Sequence, residues 1–548
     1  MRSPVAVAVI AAGLASAHVV FAQAVAPGPA PAQPPPPPPP PGAPAQVEVV
    51  VAAPPPFSPA PSAYAGPPLA GYHGGAFYLR DEHDNFRLYL QGRAQIDAYT
   101  YFGPGVSDST LKPTMLLRRV RPELSGEVLG QWQWMLAGDF GTTSVDNSKG
   151  TTETTTSSPG SAPTATSGKY ASAQTPSIKA APTDVFMNWH PRIPVPINVQ
   201  FGQFDAPFTQ ENRTSDKYIP FMERSLAVRD LGEPNNKEIG FMAWGETSKR
   251  HVAYALGAFL GDGQNRLNVD SRLDFMGRVF AHPLATTDSP VKNLQIGASL
   301  HVGDRDPRSV NYDAPSFTTQ GNFAFWSPTY GGTKGTTHVI PEGQQNGVAG
   351  ELRVPVSIFD LTSELVYVSN GTREAIEGYQ ATNTERFGAM RAYAYYVELG
   401  VWPFGNRDVN GQPGYENPTH VELDKPDDDP AQALQVLLKW EQLHARYQSA
   451  VRGGDADPKG IDGDIKVNVI ELGANYWATK HVRLTVNYAF DMFPGSEPSS
   501  QTTPTSPPQT ISQRAVAPGN TLSTGVNDSA RDSAHALHEL LFRVAVAF

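Results

Sequence analysis

The feature that most constrains this chain is a long run of strict two-residue alternation that begins at Phe86. From Phe86 to Tyr99 the even positions hold Phe, Leu, Leu, Gly, Ala, Ile and Ala, whereas the odd positions hold Arg, Tyr, Gln, Arg, Gln, Asp and Tyr. A period of two indicates a β-strand with one apolar face and one polar face. The run is longer than a globular strand of about 5–6 residues, and it matches a tilted strand that crosses a membrane.

The same alternation returns along most of the remaining chain. We identify about sixteen alternating segments, which begin near residues 86, 114, 131, 183, 197, 236, 250, 271, 292, 347, 359, 391, 433, 466, 481 and 536. A soluble sandwich also alternates, but its apolar faces need a second sheet. Here one face stays polar in strand after strand, as expected where it lines water. The pattern therefore predicts an all-β fold, a transmembrane antiparallel β-barrel of about 16 strands.

The connections between these segments alternate between short and long. Long ones fall at about 141–182, 206–235, 304–346, 370–390 and 494–533. Bacterial barrels have short periplasmic turns and long external loops, so the alternation supports the barrel. One connection breaks the rule, because residues 403–432 are long where a short periplasmic turn is expected.

The chain before the barrel has two parts. Arg2 and the apolar run that follows it predict a signal peptide over residues 1–24, cleaved after Ala22 or Ala24. Residues 25–78 are rich in Pro and Ala, with an unbroken proline run over 34–41. Proline favours extended backbone and removes an amide donor, so we predict a disordered periplasmic segment there. The barrel then occupies 79–548, in the outer membrane of a Gram-negative bacterium.

Composition and motifs narrow the function. The net charge of −11 argues against a nucleic-acid partner. The sequence has no cysteine, and it contains no nucleophile elbow, zinc-protease motif or phosphate-binding loop. We therefore predict no cofactor, no metal site and no enzymatic activity, and expect a passive channel. Two alternatives stay open: an outer-membrane enzyme, and a structural barrel that the Pro-rich segment tethers to the cell wall.

Three stretches resemble the phosphate-selective porin O and P family of outer-membrane porins. They are Leu117–Arg121 with Asp139 and Phe140, Gly202–Phe208 with Phe221–Leu226, and Leu472–Trp477 with Asn487 and Tyr488. The resemblance implies a homotrimer of sixteen-stranded barrels that passes small solutes or inorganic anions such as phosphate. It also implies that the third external loop, here Pro207–Glu233, folds inward and narrows the pore.

Alternation assigns side chains to the lumen. The arginines predicted to line an anion path are Arg87, Arg93, Arg119, Arg121, Arg272, Arg278, Arg353, Arg483 and Arg543. Acids assigned to the same face are Asp97, Glu123, Glu127, Asp139, Asp274, Glu351, Glu364, Glu398, Glu471 and Asp491. The two signs nearly cancel, which predicts weak selectivity rather than strict phosphate specificity. The same alternation places Arg118 on the outward face, at a rim or a subunit contact.

Two further sets of residues are candidates for function. Within the predicted constriction loop they are Arg213, Lys217, Glu223 and Arg224, which mix both charges. At the carboxyl end, Phe548 closes an alternating apolar strand. A terminal aromatic residue in this position is an assembly signal in the barrels that this chain resembles, so we predict that role for Phe548.

Overall fold

The computed structural model describes residues 68–103, 106, 111–141, 180–232, 236–248, 251–268, 270–305, 316–326, 330–332, 335–376, 386–410, 413–414, 418–423, 432–451, 461–494, 511–513 and 535–548. The predicted signal peptide and residues 25–67 of the Pro-rich segment lie outside the described residues.

Among the described residues, the regular secondary structure is almost entirely β-strand. In chain order the strands are β1 (Ala70–His73), β2 (Ala76–Arg80), β3 (Phe86–Phe102), β4 (Thr114–Val128), β5 (Trp132–Asp139), β6 (Ala181–Trp189), β7 (Asn198–Asp205), β8 (Lys237–Glu246), β9 (Val252–Phe259), β10 (Asp274–Ala281), β11 (Gln295–Arg305), β12 (Phe317–Thr318), β13 (Ala324–Trp326), β14 (Tyr330–Gly332), β15 (Gly335–Val356), β16 (Phe359–Ile376), β17 (Arg386–Phe404), β18 (Ala433–Val451), β19 (Ile461–Thr479), β20 (Val482–Met492), β21 (Ile511–Gln513) and β22 (Ala536–Ala547). One short helix, α1 (Leu226–Arg229), and a 3-10 turn at Arg407–Asn410 complete the described elements. No described helix has the length and apolar character that crossing a membrane requires.

Sixteen of these strands close into an antiparallel barrel, which confirms the predicted fold class. β3 to β11 pair in sequence order, β11 pairs with β15, and β15 to β20 continue the ring. β20 pairs with β22, and β22 returns to β3 through the register Phe102 opposite His538. Closure leaves no unpaired edge in the ring, which is what a sheet needs in order to cross a bilayer.

The alternation in sequence becomes the inner and outer faces of the wall. On β10, Phe275 is 60% exposed on the outer face, whereas its neighbour Met276 is buried. Arg278, two residues further along, is also buried, and Val279 is again exposed. Apolar side chains thus form an outer band that suits lipid, and polar side chains point into the lumen.

A β-bulge on β4 overturns the predicted orientation of Arg118. Gln95 on β3 lies opposite Arg119, but the next residue, Ile96, lies opposite Leu117, so Arg118 is the extra residue. A bulge sets two consecutive residues against one and breaks the alternation. Arg118 therefore points inward together with Arg119, and beyond it the buried residue is Leu116. The predicted outward position of Arg118 was wrong for this reason.

The two ends of the described chain meet at β3. The hairpin of β1 and β2 pairs with the start of β3, with Phe77 opposite Leu90. Phe548 continues from β22 at the neighbouring position: its amide donates to the carbonyl of Gly92 at 3.0 Å, and the Gly92 amide donates back at 2.8 Å. The hairpin begins at Ala70, so the folded region starts before residue 79, where composition alone placed the boundary.

Candidate functional site

The connection between β7 and β8 folds into the barrel instead of projecting from it. We call residues 206–232 the inner loop. Its apolar side chains are almost fully buried, including those of Phe208, Phe221, Met222 and Leu226. It corresponds to the loop that the family resemblance places in the pore.

Carboxylates of the barrel wall hold one side of the inner loop by its backbone. The Gln210 and Glu211 amides donate to the two oxygens of Glu364, at 2.6 and 2.8 Å. The amide of Leu226 donates to Glu441 at 2.5 Å. Lys439 lies between Glu441, at 2.7 Å, and Glu471, at 3.2 Å. Glu364 and Glu441 therefore hold the loop by its backbone, and the loop covers them.

The other side of the inner loop meets arginines. Asp216 of the loop forms ion pairs with Arg93 at 2.6 Å, Arg119 at 2.7 Å and Arg121 at 2.9 Å. Glu223 of the loop lies 2.7 Å from Arg118. Asp216 and Glu223 are therefore each shared among three guanidinium groups.

These ion pairs join into one network. Together with Arg483, which donates to the inner-loop carbonyl of Ile219, we call it the basic cluster. Among the described residues its cationic members are Arg93, Arg118, Arg119, Arg121, Lys217, Arg483 and Arg543. Its carboxylates are Asp97, Glu123, Asp139, Asp216 and Glu223. Seven cations and five acids leave an excess of two positive charges beside the inner loop.

The cations of the basic cluster lower the pKa of two loop carboxyls, those of Asp216 and Glu223. Burial disfavours the ionised form of Glu223, but the guanidinium groups of Arg118 and Arg119 outweigh burial and hold its pKa below the ordinary range. Burial likewise opposes ionisation of Asp216, and Arg93 and Arg121 lower its pKa well below the usual value. Both carboxylates therefore stay charged and keep the loop fastened to the wall.

The sequence profile of one family matches residues 88–492, which is more than half of the chain. The chain belongs to the phosphate-selective porin O and P family. It is therefore an outer-membrane porin, a channel for small solutes or anions, and family membership indicates a channel rather than an enzyme.

Solved structures of other outer-membrane proteins share a distant likeness with this porin. OmpT of Vibrio cholerae has 9% identity and a TM-score of 0.43, with 85% of this chain and 98% of that chain covered. The outer-membrane channel DcaP of Acinetobacter baumannii has 11% identity and a TM-score of 0.41, with coverages of 86% and 99%. An anion-selective porin from Comamonas acidovorans has 12% identity and a TM-score of 0.41, with coverages of 84% and 100%. Among curated proteins, none matches the sequence at a significant level.

Solvent access within the basic cluster is uneven, and this decides which charges a solute of the porin meets. The side chain of Arg118 is 24% exposed and that of Arg121 is 16% exposed, whereas that of Arg119 is only 4% exposed. Lys217, which donates to Glu123 at 2.6 Å, is exposed to an extent similar to that of Arg121. Arg118, Arg121 and Lys217 are therefore the charges that face the open part of the lumen.

Arg213 and Arg224, the two other cations predicted for the constriction, serve the shape of the inner loop. Arg213 donates to the carbonyl of Asp205 at 2.6 Å. Arg224 donates to the carbonyls of Glu211 at 3.2 Å and Thr214 at 2.8 Å. Both side chains are buried, so a solute in the lumen would not contact their guanidinium groups directly.

Arg87 and Arg278 lie in the lumen outside the basic cluster. Arg278 donates to both oxygens of Glu351, at 2.7 and 2.8 Å. Arg87 donates to Asp84 at 2.7 Å, near the start of β3. Each of these arginines also donates to a backbone carbonyl of the connection between β17 and β18.

Arg353 and Arg483 occupy different parts of the barrel. Arg353 lies near the short turn after β15, where it pairs with Asp360 at 3.4 Å. Arg483 donates to the carbonyl of Ile219 at 3.1 Å and so helps to hold the inner loop.

Arg272 does not line the lumen. It precedes β10, in the connection that follows β9, and its exposed side chain pairs with Asp304 at 2.5 Å. The prediction placed Arg272 inside because it began the alternating pattern two residues before β10 starts at Asp274.

Sequence reasoning did not single out Asp216, which pairs with the three guanidinium groups of Arg93, Arg119 and Arg121. It lies in a loop, where no alternation indicates the direction of a side chain. The only available signal was its position within the stretch that resembles the family, between Gly202–Phe208 and Phe221–Leu226.

Proposed function

We propose that this porin is a weakly anion-selective channel whose preference is set by the basic cluster beside the inner loop. The observation that carries the proposal is the excess of two positive charges in that cluster. Three of its cations, Arg118, Arg121 and Lys217, are accessible to a solute. Charges at a narrow place act on a permeating ion more strongly than charges along a wide wall, because they are less screened.

The acids across the lumen do not reverse this preference. Glu364, Glu441 and Glu471 are buried beneath the inner loop or beside Lys439. Their oxygens accept hydrogen bonds from the loop backbone and from side chains. A solute that passes the open side of the loop is therefore separated from them by the loop itself.

The same geometry favours small anions in general over phosphate alone. Every accessible arginine of the cluster already has a carboxylate partner within 3 Å. A phosphate ion would have to displace these partners in order to bind with two hydrogen bonds to each guanidinium group. Tight binding of phosphate therefore requires these ion pairs to break, whereas the brief passage of an anion does not.

Reversal potentials in planar bilayers test the proposal. With a chloride gradient and then a phosphate gradient, both potentials should lie on the anion side, and chloride current should fall only gradually as phosphate is added. Block of the chloride current at trace phosphate would instead indicate a phosphate-specific pore. A protein that never conducts would favour the structural barrel.

We extend the proposal to assembly and location: a homotrimer in the outer membrane of a Gram-negative bacterium, after cleavage of residues 1–24. The family resemblance supports the trimer, and the arginine followed by an apolar run supports the signal. A trimer should insert into bilayers in groups of three equal conductance steps. Insertion in single steps would contradict the trimer. Protein purified from outer membranes should begin near residue 23 or 25, and an intact amino terminus would contradict the signal peptide.

A further inference from the structure

The connection between β17 and β18 spans residues 405–432, and its described residues 413–414 and 418–423 include several that contact the barrel wall. Arg278 donates to the carbonyl of Gly414 at 2.6 Å, and the Gly414 amide donates to the hydroxyl of Thr214, in the inner loop, at 2.6 Å. Gly414 has a φ of +73°, and a Cβ there would lie 2.7 Å from a nitrogen of Arg278. Only glycine allows so close an approach in this conformation.

A second part of the same connection is fixed to the opposite wall. Arg87 donates to the carbonyl of Val421 at 2.7 Å. The imidazole of His420 lies 2.9 Å from Glu127, and the hydroxyl of Thr419 lies 3.2 Å from Gln91. The side chain of Val421 packs in a small apolar cluster that includes Tyr78 and Tyr89. These contacts combine charge, hydrogen bonding and apolar burial.

The attachment points are widely spaced around the ring. Counted from β3, the connection leaves the wall at the twelfth barrel strand, β17, and returns at the thirteenth, β18. Arg278 is on the eighth strand, β10, whereas Arg87 and Glu127 are on the first and second, β3 and β4. In a ring of sixteen strands, these anchors lie nearly opposite one another. The described residues of the connection therefore contact nearly opposite sides of the lumen.

We propose that the described residues 413–414 and 418–423 of this connection form a second narrowing of the channel, in series with the inner loop. It lies at the end of the barrel where the other turns are short, and it also tunes selectivity. Two arginines of the wall, Arg87 and Arg278, have part of their hydrogen-bonding capacity taken by its carbonyl oxygens. A permeating small anion would otherwise compete for those donors. The inference rests on the proposed channel function, which it extends to a second site.

Replacing residues 411–423 with a short Gly-Ser linker tests the inference. If the two narrowings resist ion flow equally, single-channel conductance should rise about twofold. The reversal potential should also move further toward the anion side, because Arg87 and Arg278 lose their carbonyl partners. The matched control replaces residues 284–291, whose described hydrogen bonds stay within their own connection at the same end of the barrel. That control should leave conductance and reversal potential unchanged.

A cysteine variant gives an independent test that leaves the connection intact. The wild-type chain has no cysteine, so Thr419→Cys introduces the only thiol. A charged thiol reagent should reduce the current through Thr419→Cys but not through the control Thr287→Cys. Unchanged conductance in the linker variant, or an unaffected current in labelled Thr419→Cys, overturns the inference while the channel stands. If the wild-type protein does not conduct, the proposed function fails first.

Discussion

Arg118 donates to both carboxylate oxygens of Glu223, at 2.7 and 3.0 Å, and so joins the barrel wall to the inner loop. Regular alternation along β4 would have turned this side chain toward lipid. The bulge at Arg118 redirects it without changing any residue, and the adjacent Arg119 also reaches Glu223, at 3.4 Å. One extra residue in a strand thus adds a cation to the basic cluster.

Arg118 should contribute to anion preference, whereas Arg272 should not. Arg118→Gln and Arg272→Gln each remove one positive charge, but only Arg118 faces the open lumen beside the inner loop. We expect Arg118→Gln to move the reversal potential in a salt gradient toward cation preference. The shift should be larger at low salt, where the Debye length is about 30 Å at 0.01 M, than at 1 M, where it is about 3 Å. Equal shifts in the two variants would contradict the inward orientation of Arg118.

Closure of the barrel should depend on Arg543 and Asp97. Arg543 on β22 donates to both oxygens of Asp97 on β3, each at 2.7 Å, and both side chains are fully buried. Arg543→Met leaves a buried carboxylate without this partner, so the free energy of unfolding in urea should fall by about 3–5 kcal/mol. The double variant Arg543→Met/Asp97→Leu should recover part of the loss. A double variant less stable than Arg543→Met would show that the pair does not act as a unit.

The attachment of His420 to Glu127 should make conductance depend on pH. A hydrogen bond to Glu127 raises the pKa of His420 above its ordinary value. A raised histidine pKa stabilises the attached state at low pH, and that stabilisation is lost as the pH rises through the folded-state value. Arg87, Asp84 and Glu422 also surround the imidazole.

We therefore expect wild-type conductance to increase as the pH rises across the histidine range, roughly pH 5 to 8. His420→Gln keeps a hydrogen-bond donor that does not titrate, so its conductance should vary less over the same range. Identical pH profiles for the two proteins would assign the dependence to other groups.

Phe548 should matter for assembly through its ring as well as its backbone. The backbone exchanges two hydrogen bonds with Gly92, and the ring lies 6.3 Å from that of Phe77. Phe548→Ala keeps the hydrogen bonds and removes the ring, whereas deletion of Phe548 removes both. If the terminal aromatic residue is an assembly signal, both variants should be depleted from outer membranes, measured by immunoblot of membrane fractions. Wild-type levels of Phe548→Ala would contradict the signal, and Phe77→Ala provides the control for lost ring packing.

The barrel could be predicted from sequence because its physical cause is local. Each strand separates lipid from water, so every second residue is apolar, and runs such as Phe86–Tyr99 show this directly. The predicted starts near residues 114, 433 and 481 lie within one residue of β4, β18 and β20. The alternation of short and long connections could be predicted in the same way, because short turns lie on one side of the membrane and long loops on the other.

The missing parts depend on contacts between distant residues. Nothing near Arg118 in the sequence marks a bulge, because the extra residue is defined by pairing with β3. In the sequence, the connection over 405–432 is notable only for being longer than a periplasmic turn. Its contacts with the wall, Gly414 with Arg278 and Val421 with Arg87, are visible only in the structure. Loop carboxylates such as Asp216 have no periodicity from which a direction can be derived. Charge counts along strands therefore gave a balanced lumen, whereas the fold gathers arginines of β3, β4, β20 and β22 beside one side of the inner loop.

Single-channel recording of the wild-type protein under a potassium chloride gradient tests the central claim most directly. The account predicts discrete conductance steps and a reversal potential on the anion side, which the double variant Arg118→Gln/Arg121→Gln should bring toward zero. The variant should still migrate faster on a gel when unheated than when boiled, since the barrel does not depend on these two charges. An absence of steps, or a wild-type reversal potential on the cation side, would contradict the account.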